Sequence, residues 1–235
     1  MFGWEGDLPE PSVRMVSDMQ AVLKDPECSI RGPLYFMYRD LARTPEDREW
    51  LKYRKLRYDI TVIPSRVVCG ERVKTKGHHH PKNLSGVGYP EVYEVLEGEA
   101  HYLIQKRDMS DIVLIEARKG DIVIIPPSYG HVTINPGNSR LVMANIVSNE
   151  FSSEYNEYEE MRGAAYYELA DGSLIRNRAY PDIPILRRFR GEPLAAYCTL
   201  CRAPLYSLVG NDKDALEFLN RPERYLPELT KCLEG

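Results

Sequence analysis

The chain has 235 residues, enough for one large domain or two small ones, with 43% hydrophobic and 28% charged residues. That composition excludes disorder, collagen-like fibre and a disulfide-rich mini-protein. A net charge of −4 offers no global field for gripping nucleic acid or an anionic membrane. The unusual count is histidine, with five in all, every one between His78 and His131.

Residues 1–57 read as an N-terminal extension carrying short helices. The opening residues have no basic segment ahead of an apolar run, so no secretory signal is expected. Ser17 followed by Gln20 reads as a capping box opening a helix through about Leu23. Thr44-Pro45-Glu46-Asp47 sets a cap, a first-turn proline and two acids ahead of Trp50, Leu51 and Tyr53, a second helix start. Between them, residues 33–38 are strand-like.

From Tyr58 the pattern turns to short β runs broken by glycine and proline. Residues 58–68, 92–96, 100–105, 111–116, 121–125, 132–135 and 141–147 predict strands, with a hairpin-like break at Gly98. Strands at this spacing imply an all-β barrel or sandwich over residues 58–163. Residues 164–235 read as a wrapping extension, with short helices expected over 213–220 and 222–233. Five cysteines make an odd number for a secreted disulfide framework, and a mostly reduced, cytoplasmic protein is expected. Cys198 and Cys201 lack the partners of a zinc knuckle and are taken as structural or incidental.

His78 and His80 are one residue apart, so in an extended strand both imidazoles face one way and His79 the other. Glu91 opens the next β run after a glycine-containing loop, and His131 precedes a later one. Three imidazoles and one carboxylate suit a divalent transition metal, with Fe, Mn, Ni and Zn as candidates. Hard calcium would want more oxygens. His79 and His101 are read as bystanders.

His78-x-His80, Glu91 and Gly98 resemble the first cupin motif, and Gly120, Pro126, His131 and Asn135 the second. The loop between His80 and Glu91 is longer than in many cupins. Thr75-Lys76-Gly77-His78-His79-His80, Glu91-Val92-Tyr93 and the run 123–135 are similar to the archaeal cupin-type glucose-6-phosphate isomerases. The resemblance extends over roughly residues 15–165. It implies a cupin jelly-roll with one divalent metal per subunit, iron first, held by His78, His80, Glu91 and His131. It further implies a substrate phosphate held at Tyr35, Thr61, Thr75, Gly77 and Tyr155. Hydroxyls and the Gly77 amide are neutral donors that suit a mildly acidic chain.

The expected reaction is conversion of glucose 6-phosphate to fructose 6-phosphate, with Glu91 moving the proton between C1 and C2 and Tyr93 beside it. A hydride shift is the competing route. At the family's downstream Tyr and His positions this chain has Val147 and Ser153. Ring opening is therefore assigned elsewhere, with Asn149, Glu150, Glu154 and Tyr93 as candidates. A three-His-one-Glu dioxygenase and a non-catalytic metal- or sugar-phosphate-binding cupin are the alternatives. The expected partners are a sugar phosphate and a second copy of the chain, a homodimer, with neither nucleic acid nor membrane.

Overall fold

The β-branched runs form strands because two sheets give them two apolar faces to fill. In this computed structural model, which describes residues 4–190, 204–210, 215–231 and 233, the larger sheet has six strands. They are β1 (Ser12–Met15), β2 (Pro33–Tyr38), β3 (Leu56–Ile63), β6 (Glu91–Glu97), β9 (Ile122–Ile125) and β11 (Leu141–Ser148). Their order is β1-β2-β3-β11-β6-β9, all antiparallel. The second sheet runs β10-β7-β8-β14, from β7 (Glu99–Lys106), β8 (Ile112–Arg118), β10 (Tyr129–Ile134) and β14 (Arg187–Arg190). Two small ribbons complete the set: β4 (Val67–Val68) with β5 (Glu71–Arg72), and β12 (Tyr166–Glu168) with β13 (Leu174–Arg176).

From β6 onward the chain alternates between the sheets, β6 and β9 in one and β7, β8 and β10 in the other, before β11 returns to the first. Such alternation is jelly-roll connectivity, and it wraps both sheets round one interior. β8 and β11 are buried almost throughout, as strands covered on both faces must be. β14 joins parallel to β8, so the segment after residue 163 adds a strand to the barrel's own sheet.

The expected helix over 17–23 is a 3-10 helix, Val16–Val22. Its cap is not Ser17: Asp18 Oδ2 accepts from the Met15 amide at 2.9 Å, so the box sits two residues earlier. The second start is as read, with Thr44 Oγ1 accepting from the Asp47 amide at 3.1 Å ahead of α1 (Pro45–Tyr53). The outer face of β3 is sealed by Trp4, stacked on Tyr58 at 5.6 Å, and by Tyr206, edge-on to Tyr58 at 4.8 Å. Tyr206 lies in the C-terminal segment, so that segment packs back on the strands. The end of the chain breaks into 3-10 turns at Glu217–Leu219 and Pro222–Arg224 before a last short α-helix (Leu226–Lys231).

The expectation of a reduced chain is corrected at one pair, since Cys28 and Cys69 are disulfide-bonded with their Cα atoms 5.9 Å apart. They are 41 residues apart in sequence, a pairing that spacing alone does not reveal. Cys198 and Cys201 lie outside the described residues.

Candidate active site

The pocket is lined from strands that contribute every second residue. From β2 come Tyr35 and Met37, with Arg39 just beyond; from β3, Arg57 and Thr61; from β11, Met143, Asn145 and Val147; from β6, Glu91 and Tyr93. All are odd-numbered, as the two-residue period of a strand requires for one face. The register aligns them in rows: Arg57 opposite Val147 opposite Glu91, and Asp59 opposite Asn145 opposite Tyr93.

Across the interior, His131 stands on β10, and the extended segment before the long loop brings in His78 and His80. Their placement is backbone-driven: the His131 amide donates to the His78 carbonyl at 3.0 Å. One ligand atom from each of His78, His80, Glu91 and His131 lies within 4.8 Å of the other three. His80 Nδ1 is 2.8 Å from the Tyr89 carbonyl, which can only accept. The proton is therefore on Nδ1, and the Nε2 lone pair faces the cluster.

Glu91 Oε1 accepts from Asn145 Nδ2 at 2.7 Å. Its Oε2 lies 3.4 Å from His80 Nε2 and 3.3 Å from His131 Nε2, with no hydrogen-bond partner among the described residues. Burial, reinforced by the neighbouring imidazoles, pushes His78 and His131 well below the usual histidine range, and burial pushes His80 down to about 4. Burial pushes Glu91 up to about 7, against the pull of Arg57. Neutral imidazoles around a buried, half-unpartnered carboxylate are what a divalent transition metal would satisfy, so the donor set fits such an ion. The Tyr93 hydroxyl sits 3.0 Å from His131 Nε2, and burial raises its pKa, keeping it a protonated donor.

The five residues read as phosphate-binding all line this same pocket. Thr75 Oγ1 accepts from the Thr133 amide at 2.9 Å, which leaves the hydroxyl proton free to donate. The Tyr35 hydroxyl accepts from Arg14 Nε and from the Lys76 amide, both at 3.2 Å, with the same result. The picture of purely neutral donors is corrected here, because Arg14 and Lys76 also line the wall. Lys76 is ion-paired to Glu159 at 2.5 Å, and its ammonium stands over the Tyr155 ring.

Of the groups considered for ring opening, only Tyr93 lines the pocket. Glu150 is ion-paired to Lys55 and Glu154 to Arg107, while the Asn149 amide is tied to the Lys55 carbonyl. Val147 and Ser153 do line it. The bystander histidines are placed as expected: His79 packs against Tyr158 at 5.2 Å between ring centres, and His101 bonds Glu168 at 2.7 Å. Arg14, Arg39, Arg57, Lys76 and Asn145 were not anticipated. The signal for two of them was available, because stepping by two along the strand from Tyr35 leads to Arg39, and stepping back from Thr61 leads through Asp59 to Arg57.

A two-sheet jelly-roll whose interior gathers a His-x-His pair, a glutamate and a third histidine defines a cupin with a metal-type centre. Comparison with known proteins gives the family. The glucose-6-phosphate isomerase (GPI) family model matches residues 13–185, and the chain belongs to that family. It is 29% identical over 152 residues to a glucose-6-phosphate isomerase of Thermococcus litoralis, covering 63% of this chain and 75% of that one. The corresponding Pyrococcus furiosus enzyme is 28% identical over 152 residues, covering 63% and 76%. Among solved structures, a cupin superfamily protein of Desulfitobacterium hafniense aligns with TM-score 0.31 at 15% identity, covering 48% of this chain and 76% of that one. Among the described residues no helix is long and apolar enough to cross a membrane.

Proposed function

We propose that this chain interconverts glucose 6-phosphate and fructose 6-phosphate. The observation that carries the reading is one pocket holding two kinds of wall. Tyr35, Thr61, Thr75 and the Gly77 backbone offer phosphate donors, and the His78/His80/Glu91/His131 cluster lies in the same cavity. Anchoring the phosphate uses binding energy remote from C1 and C2 to orient the reacting carbons. A divalent ion held by the four residues would polarise the O1/O2 pair of the open-chain sugar.

The work of the chain itself is positioning and proton movement. Glu91 is the carboxylate we read as taking the C2 proton and returning it at C1, which it does by loosening from the ion. Asn145 holds Oε1 and so fixes the orientation of the carboxylate in the pocket. The buried Tyr93 hydroxyl is a donor within the same pocket. With Val147 and Ser153 at the positions discussed above, ring opening has no dedicated histidine beyond His131. That one observation favours a second reading, a sugar-phosphate-binding protein without turnover.

Iron remains the first candidate for the ion, ahead of manganese, nickel and zinc. Residues 58–163 are read as the barrel, with 1–57 and 164–235 as its extensions. A homodimer and a cytoplasmic location belong to the same proposal. The open edge of the six-stranded sheet at β1, where Val13 and Met15 are exposed, supports pairing of subunits. Gel filtration at monomer size would contradict it.

The test is metal-loaded protein incubated with glucose 6-phosphate in deuterium oxide. Formation of fructose 6-phosphate is expected, with solvent deuterium at C2 of recovered glucose 6-phosphate if the proton route operates. Binding without any fructose 6-phosphate would replace the isomerase with the binding protein.

A further inference from the structure

Two guanidinium groups stand in the pocket wall and share one carboxylate. Arg39 Nη1 donates to Asp59 Oδ2 at 2.7 Å, and Arg57 Nε donates to the same oxygen at 2.9 Å. The other oxygen of Asp59 accepts from the Asp40 amide at 2.9 Å, so both carboxylate oxygens are engaged. Asp59 has 0% side-chain exposure, whereas Arg57 keeps 25% and Arg39 42%. Two cations against one anion leave one positive charge, and both arginines line the pocket. The row that carries Arg57 continues through Val147 to Glu91, so the guanidinium is based two strands from the cluster on the same sheet face.

An arginine cannot act as a base at neutral pH, because it stays protonated. What it can do is donate charged hydrogen bonds to an oxygen that becomes negative. Isomerisation creates one: as the C2 proton leaves, the C–H electron pair becomes the C1=C2 bond and the carbonyl pair moves onto O1. The charge is discharged when C2=O forms, C1 takes the proton back and the O2 proton passes to O1. We propose that Arg57 and Arg39, held in place by Asp59, are catalytic residues that bind this developing oxyanion, on the wall where Val147 offers no polar group. The assignment rests on the isomerase reading above. It gives the pocket a preference for an anionic group at C1 as well as the phosphate at C6.

The test compares two phosphorylated ligands that differ only at C1, measured by titration calorimetry on the full-length, metal-loaded protein. 6-Phosphogluconate carries a carboxylate there and mimics the oxyanion, while glucitol 6-phosphate carries a neutral alcohol. In Arg57→Ala, 6-phosphogluconate is expected to bind about 10- to 100-fold more weakly, the value of a hydrogen bond to a charged group. Glucitol 6-phosphate should change by less than about threefold on the same scale. Metal content should be unchanged, kcat should fall more than KM rises, and Arg57→Lys should recover part of the loss. Arg39→Ala, at the more exposed arginine, carries the same comparison if Arg57→Ala does not fold. Equal losses for both ligands, or none, in an enzyme that turns over glucose 6-phosphate would overturn this inference alone. Absence of turnover in the wild-type protein would overturn the isomerase reading and this one with it.

Discussion

Asn145 donates to Glu91 across neighbouring strands, Nδ2 to Oε1 at 2.7 Å, with both residues buried. The bond occupies one carboxylate oxygen and aims the other at the imidazole nitrogens of His80 and His131. Side chains that orient a ligand in this way are worth about 10- to 100-fold in metal affinity. Asn145→Ala should therefore weaken retention of the ion by that order, seen as metal per chain after dialysis against a weak chelator. In a cobalt-substituted protein the freed carboxylate should also change the visible absorption, as Oε1 becomes available to the ion. Unchanged metal content and spectrum would remove Asn145 from this role.

Thr75 separates binding from metal chemistry. Its hydroxyl accepts from the Thr133 amide while keeping a proton to donate. Thr75→Val deletes both functions, so KM for glucose 6-phosphate should rise about tenfold, the worth of one hydrogen bond to a charged phosphate. The stranded Thr133 amide should lower stability by about 1–3 kcal/mol. Metal content should stay at the wild-type level, and Thr75→Ser should restore both quantities. A KM that does not move would take Thr75 out of the phosphate site.

Three glycines allow backbone strain and crowding to be measured apart. Gly130 has no unusual φ, but a Cβ there would stand 2.5 Å from the His79 ring. Gly86 has φ +80° and nothing within 4 Å of an added Cβ. Gly77 combines φ +82° with a Cβ position 2.5 Å from the Tyr158 ring and 2.7 Å from Val132. Strain of the left-handed region costs about 1–2 kcal/mol and overpacking about 1–3. Thermal melts should place Gly77→Ala below both Gly130→Ala and Gly86→Ala, each of which should itself melt below the wild type. Were Gly77→Ala as stable as Gly86→Ala, the packing at Tyr158 would be looser than the structure has it.

The metal-type cluster was legible in the chain because its signal is local. His78 and His80 share a face by strand parity, and Glu91 and His131 each sit at the mouth of a strong β run. The central strands, β2, β3 and β6 to β11, were legible for the same reason, to within a residue or two at most ends, whereas β1, β5 and β12 to β14 were not. Arg57 and Asn145 were not, since their meaning depends on β3 lying beside β11 and β11 beside β6, a register that no short window encodes. Cys28 and Cys69 are the same kind of case, brought together by the fold and not by spacing. The cap at Asp18 in place of Ser17 shows the opposite limit, where two nearby residues both offer suitable chemistry and only the backbone selects one.

The segment beyond residue 186 is fastened by a charge that acid should release. Asp111, just ahead of β8, accepts from Arg187 Nε at 2.9 Å and Nη2 at 2.5 Å, and from the Tyr129 hydroxyl at 2.5 Å. Burial alone would raise the Asp111 carboxyl, but these hydrogen bonds and the Arg187 charge outweigh it and hold the group below its usual value of 3.8. A carboxyl lowered in the folded state stabilises above its unfolded pKa, and that contribution disappears as pH falls through the folded one. Arg187 is partly exposed, so solvent screening limits the pair to about 1 kcal/mol. Asp111→Asn should thus melt about 2–4 °C below the wild type at neutral pH. The gap should hold down to about pH 4 and close below it, as the wild-type carboxyl takes up its proton. A gap that persists undiminished in acid would mean that the side chain's shape, and not its charge, fastens β14 to β8.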